Sequence, residues 1–149
     1  AAWPGALETG PVELAKTRLE LSPRLEVVPT REEIAARLDD PALVLVDVRR
    51  PEEYAGKAGY PCDPRQGHIP GARSLEVSTL FAGPGQPRPA SELRGLVGLP
   101  DGAELVAYCH SGSRSALATI ALRAAGYRCR NYVGSWHEWS RHLELPAAR

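Results

Sequence analysis

Two uninterrupted apolar runs, "ALVLVDV" at 42–48 and "AELVAY" at 103–108, constrain the fold most strongly. A strand that is apolar at nearly every position has no face left for water, which is the condition of a parallel sheet covered on both sides. Helical signals surround these runs. Thr30, with Glu33 three positions on, reads as a capping box that opens a helix over 31–38, with Ile34 and Leu38 on one face. Pro51 suits the first position of a short helix, and "SELRGLVG" at 91–98 predicts another. "SALATIALRAAG" at 115–126 predicts a helix facing inward through Leu117, Ile120, Ala121 and Ala124 and stopped by Gly126. "CRNYV" at 129–133 reads as a third strand, and "GSWHEW" opens a last helix. This alternation predicts an α/β fold with an open, mainly parallel sheet flanked by helices on both faces.

At 149 residues the chain fits one domain. Residues 1–23 carry scattered Gly and Pro without a sustained period and read as an arm or linker, leaving 24–149 as the domain. The Gly- and Pro-rich stretch 56–73 predicts a long ordered loop, a class of segment that often serves function. With 18 Lys+Arg against 18 Asp+Glu and a pI near 7.1, nothing points to nucleic acid or a membrane surface. No apolar run approaches the roughly 20 residues of a membrane span. The opening "AAWPGALETG" has no signal-peptide pattern, and a chain without methionine is expected to be processed or a piece of something longer. Cys62, Cys109 and Cys129 are odd in number and lack CxxC spacing, which argues against a disulfide framework or a zinc ribbon and for a cytoplasmic location.

The chemistry concentrates in "YCHSGSRSA" at 108–116. Cys109 ends an apolar strand directly before a turn and a helix, the position where parallel sheets gather ligands. Gly112 permits unusual backbone angles, and Ser111, Ser113 and Ser115 can bond to nearby backbone groups. Such a turn aims several N–H groups, and the dipole of the following helix, at one sulfur. That environment favours a thiolate nucleophile, with Arg114 and His110 adding charge for an anionic substrate. The alternative is a small buried core cysteine at a strand end.

"VLVDVRRPEEYAG", "GHIPGARSL", "AYCHSGSRSA" and "YVGSWHEW", in this order, resemble the rhodanese family of sulfurtransferases over about Val27 to Pro146. The resemblance implies a rhodanese-like α/β domain in which Cys109 takes a sulfane sulfur as a persulfide. It implies a small-molecule donor such as thiosulfate and a thiophilic acceptor such as cyanide or a thiol, with no metal or cofactor. The ending "GSWHEW" looks most like the catalytic second half of tandem enzymes, so that residues 1–23 would include the tail of a preceding rhodanese module. Ser111, Gly112, Ser113, Arg114 and Ser115 are expected to shape the anion cradle, and His110 to be a further substrate-binding residue whose role stays open between meeting the donor, recruiting the acceptor and facing solvent. A carrier module that holds a persulfide for a sulfur-accepting protein is the second reading. Phosphatase or arsenate reductase chemistry fits less well, because four residues separate Cys109 from Arg114 where the related phosphatases have five.

Arg49 matches an arginine that the family places near the substrate entrance, and substrate contact and a structural role stand level for it. Asp47 is expected to be structural, and His68 and Arg73 to hold the 56–73 loop together. "HEWSRH" fails as a metalloprotease motif, because His137 and His142, five apart, diverge by about 140° on a helix, against about 40° for a four-residue spacing. They are expected at the surface. Trp136 and Trp139 read as packing residues, Cys62 as exposed and oxidisable, and Cys129 as half-buried and inert.

Overall fold

The computed structural model describes residues 5–6, 10–11, 13, 15–22, 25–99 and 102–149. The expected arm 1–23 therefore lies partly outside the described residues. Those of it that are described are exposed and carry neither helix nor strand.

The central sheet holds β1 (Leu43–Asp47), β2 (Arg73–Ser74), β5 (Glu104–Tyr108) and β6 (Arg128–Asn131). Its order is β2-β1-β5-β6, and every pairing is parallel. The two apolar runs thus occupy the two central positions, where both faces are covered. Period-two alternation divides their side chains. Leu105, Ala107 and Cys109 face one core cluster, and Val106 and Tyr108 face the other. The first is closed by α3 (Ala90–Val97) and α4 (Ser113–Ala124) through Leu93, Ala118 and Leu122. The second is closed by α1 (Arg31–Ala35) and α5 (Ser135–Trp139) through Ile34, Trp136 and Trp139. Each fully buried Leu, Val or Ile adds about 1.5–3 kcal/mol of driving force. A short α2 (Pro51–Tyr54) starts with Pro51, and a two-stranded hairpin, β3 (Phe81–Gly83) with β4 (Gln86–Pro87), lies outside the main sheet. The hairpin and the edge strand β2 carry no pattern that the sequence reading had found.

Two local expectations are corrected. The capping box is half-formed: Thr30 Oγ1 accepts the Glu33 N–H at 3.2 Å, but the Glu33 carboxylate pairs with Arg130 instead. The inner face of α4 is also different. Leu117 is 46% exposed, Ile120 64%, and Ala124 is exposed, while Ala118, Ala121, Leu122 and Ala125 are buried. Ser115 sets this phase, because its hydroxyl must face the Cys109 sulfur. Leu117, two residues on, then lies about 200° around the helix, and Ile120 about 140°. The small alanines in turn let α4 lie close to the sheet.

The 56–73 loop is ordered by specific bonds. His68 stacks on Tyr54 with ring centroids 3.7 Å apart, and its backbone pairs with Ala148. Gly67, at φ 135, lies where a Cβ would meet the Ala148 carbonyl oxygen at 2.1 Å, so this approach to the C-terminal segment admits only glycine. Arg73 departs from its expected role and donates to the Val97 carbonyl at the end of α3. No helix among the described residues is long and apolar enough to cross a membrane.

Candidate active site

Cys109 follows β5 directly and is buried. Its peptide group is fixed on both sides. The Cys109 N–H donates to Ser135 Oγ at 3.1 Å, and the Cys109 carbonyl accepts the Trp136 N–H at 3.0 Å. One residue on, the His110 carbonyl accepts the His137 N–H at 2.9 Å. The start of α5 therefore fastens the start of the cysteine loop. Ser135 reaches this position with φ 54, a left-handed conformation that non-glycine residues adopt at a cost of about 1 kcal/mol.

The loop closes at Gly112, whose φ is 87 and whose absent Cβ would stand 2.8 Å from the Val133 carbonyl oxygen. In that conformation the Gly112 N–H donates to Cys109 Sγ at 3.2 Å. Ser115 Oγ lies 3.5 Å from the same sulfur and 3.1 Å from the Gly112 carbonyl. Its single proton has to choose between them. The Gly112 carbonyl already receives the Ala116 N–H at 2.9 Å and Asn131 Nδ2 at 3.2 Å, so its two lone pairs are occupied and the hydroxyl proton is left for sulfur. Burial pushes the thiol pKa up. The Ser115 hydroxyl and the backbone N–H groups of Ser115, Ser111 and Gly112 outweigh it, and the net direction is down. The ring of donors therefore favours the thiolate form of the sulfur. Cys129 shows the contrast: buried without that ring, its thiol is held up.

The expected site residues divide as follows. Ser111, Gly112 and Ser115 surround the sulfur. Ser113 opens α4 and is exposed. Arg114 stands on the first turn of α4, and its side chain bonds Glu53 in α2, Nη1 to Oε2 at 2.7 Å and Nη2 to Oε1 at 2.9 Å. His110 leaves the solvent: its ring stacks on Tyr60 at 3.8 Å, and Nε2 lies 3.1 Å from Asp63 Oδ2. Arg49, for which substrate contact and support stood level, is seated in the fold. It is 1% exposed, bonds both oxygens of Asp47 and the Gly67 carbonyl, and lies 5.0 Å from the centroid of the Trp136 ring. Its Nε and Nη2 are engaged by these fold contacts, with Asp47 in the structural role expected of it.

Glu53, Asn131, Ser135 and Asp63 escaped the sequence reading. Each acts on a residue tens of positions away, and a glutamate or serine in a helix turn carries no local signal for such a partner. Trp136 and Trp139 are fully buried, as expected of packing residues. A cleft of about 420 Å³ lined by Tyr54, Arg73, Ser74, Leu96 and Leu99 touches no residue of the cysteine loop. The site is thus marked by chemistry rather than by cavity size, since the clustered donors and the lowered thiol are at the loop.

The sequence pattern of the rhodanese-like domain matches residues 30–142. A putative thiosulfate sulfurtransferase of Haloferax volcanii is 38% identical over 120 residues, covering 74% of this chain and 42% of that protein. The sulfur carrier protein TtuD of Thermus thermophilus is 36% identical over 116 residues, covering 70% of this chain and 41% of that protein. The chain therefore spans about two-fifths of the length of these curated relatives. A crystal structure of a probable thiosulfate sulfurtransferase superposes with a TM-score of 0.74 at 38% identity, covering 89% of this chain and 52% of that one. On the match across 30–142, this chain belongs to the rhodanese-like domain family.

Proposed function

We propose that this chain is a sulfurtransferase domain that moves a sulfane sulfur from thiosulfate or a related donor to a thiophilic acceptor through a persulfide on Cys109. The observation that carries the reading is the thiol itself, buried at a strand end yet surrounded by N–H and O–H donors that lower its pKa. The Cys109 thiolate attacks the outer sulfur of thiosulfate. The S–S bond breaks, its electron pair leaves with sulfite, and an S–S bond forms on Cys109. Cyanide or a thiolate then attacks the terminal sulfur of the persulfide and returns Cys109 as a thiolate. The same donors stabilise the anion before and after each displacement, and two separable steps imply ping-pong kinetics.

Ser111, Gly112 and Ser115 build the cradle in this reading, and Arg114 holds a positive charge at its edge. We further assign residues 24–149 as one rhodanese module of a longer tandem protein, with 1–23 as its linker. The relatives of more than twice the matched length support this division. Three free cysteines fit a reducing, cytoplasmic setting. The relative named a sulfur carrier favours a second reading in which the acceptor is a protein.

Incubation with thiosulfate followed by intact mass measurement tests the proposal. One added sulfur atom, removed by cyanide and absent from Cys109→Ser, is expected. No adduct, together with cleavage of a phosphate ester, overturns it.

A further inference from the structure

Three segments that meet beside the cysteine loop bring together four side chains with metal-binding chemistry. The 56–73 loop supplies Cys62 and Asp63, the cysteine loop supplies His110, and α5 supplies His137. One ligand atom from each lies within 4.8 Å of all the others. His137, paired with His142 in the failed motif "HEWSRH", has its actual partners here. His142 turns away to Glu144 and Arg31.

Four of the six ligand pairs stand near the spacing of one small cation, and the other two, from His110 to Cys62 and to His137, lie within 4.8 Å. Tetrahedral bonds of about 2.3 Å to sulfur and about 2.0 Å to nitrogen or oxygen place S···N and S···O pairs about 3.5 Å apart and N···O pairs about 3.3 Å apart. Cys62 Sγ stands 3.9 Å from His137 Nδ1 and 3.8 Å from Asp63 Oδ1. Asp63 Oδ1 stands 3.1 Å from His137 Nδ1 and 3.3 Å from His110 Nε2. Charge fits as well: one thiolate, one carboxylate and two neutral imidazoles balance a dication.

One buried carboxylate oxygen and its charged surroundings point to a cation site. Asp63 is 7% exposed, and its Oδ2 is buried without a hydrogen bond, although His110 Nε2 is 3.1 Å away. A buried carboxylate oxygen is rarely left so. His137 Nδ1 faces the carboxylate of Asp63 and, at 2.9 Å, the Arg141 guanidinium. Arg141 Nη1 is also 3.4 Å from Asp63 Oδ1, so the arginine stands in as the local cation. Its side chain is 40% exposed and also donates to the His137 and Cys62 carbonyls at 2.7 and 2.8 Å, bonds that its displacement by a metal would break.

We propose that Cys62, Asp63, His110 and His137 bind a thiophilic divalent transition metal of the zinc class, with displacement of Arg141. The site stands independently of sulfur transfer, and its test needs no sulfur donor. On binding, the Cys62 S–H bond breaks, its proton goes to solvent, and the thiolate pair bonds the metal without any change of oxidation state.

Titration of the whole chain with Co²⁺ alone, followed by Zn²⁺ competition, tests this. A one-to-one complex with the intense absorption of tetrahedral cobalt and a sulfur-to-cobalt charge-transfer band is expected, and Zn²⁺ should abolish both. Cys62→Ser should remove the charge-transfer band, and Cys62→Ser and His137→Ala should each weaken binding at least about tenfold. Cys109→Ser should leave the spectrum intact, and Arg141→Ala should tighten binding. On the wild-type chain, Zn²⁺ should protect Cys62 from alkylation, read by peptide mass. A spectrum without the charge-transfer band, a band that survives Cys62→Ser and vanishes in Cys109→Ser, or alkylation of Cys62 unchanged by Zn²⁺ overturns the proposal.

Discussion

Arg114 grips both carboxylate oxygens of Glu53, at 2.7 and 2.9 Å, across 61 positions of sequence. Burial alone would raise the Glu53 pKa, but the Arg114 bonds and the Arg50 N–H hold it at about 2, below its ordinary 4.5. A carboxylate with a depressed folded-state pKa adds stability that is complete above the unfolded value. That stability is lost as the pH falls from about 4.5 through about 2. At about 1.4 kcal/mol per pH unit, and discounted because Arg114 is partly solvated, the contribution is about 2 kcal/mol. Glu53→Gln is therefore expected to be less stable than the wild type at pH 6, with the gap closing by about 2 kcal/mol towards pH 2. Urea denaturation across that range checks it; a gap independent of pH counts against the pair.

Ser115 controls the sulfur more directly. Its hydroxyl is the largest influence that lowers the Cys109 pKa. Ser115→Ala removes that donor, raises the pKa and leaves less thiolate at neutral pH. A hydrogen bond to a charged group contributes about 1.5 kcal/mol or more, so alkylation of Cys109 by iodoacetamide at pH 7 is expected to slow roughly tenfold. The rate difference should shrink at high pH, where both thiols ionise. Equal rates at pH 7 would remove Ser115 from the cradle.

What the sequence made legible follows from the range over which its signals act. The runs 42–48 and 103–108 announced buried parallel strands because apolarity at nearly every position is a local signal. Cys109 was legible because the strand end, Gly112 and the helix start are contiguous. Local periodicity was misleading in α4, where Leu117 and Ile120 look like core residues. There the demand that Ser115 face the sulfur turns the helix, and packing on the sheet falls to Ala118, Ala121 and Leu122. Arg49 was ambiguous for the same reason: its partners Gly67 and Trp136 arrive from distant segments.

Arg49 separates support from chemistry. Its guanidinium meets Asp47 through three contacts of 2.6 to 3.1 Å and is 1% exposed. Lysine offers a single ammonium group in place of this planar fork and leaves the buried Asp47 and Gly67 acceptors partly unpaired. Arg49→Lys is expected to lose about 3 kcal/mol of stability. The KM for thiosulfate of the folded fraction should stay within twofold of the wild type. A large rise in KM with little loss of stability would restore Arg49 to the substrate site.

Ser135 combines strain with an anchoring bond, and two substitutions divide them. Ser135→Ala keeps a side chain at φ 54 but leaves the buried Cys109 N–H unpaired, which costs about 1–3 kcal/mol. Ser135→Gly loses the same bond but relieves the left-handed strain, which returns about 1 kcal/mol. The expected order of stability is wild type, then glycine, then alanine. If Cys109 carries the proposed sulfur transfer, its rate is expected to follow the anchor rather than the strain, because the Cys109 N–H fixes where the sulfur enters its ring of donors. Both variants should therefore lose rate alike, by about tenfold, despite their different stabilities. A glycine variant with wild-type rate would show that the Trp136 N–H on the Cys109 carbonyl holds the loop without Ser135.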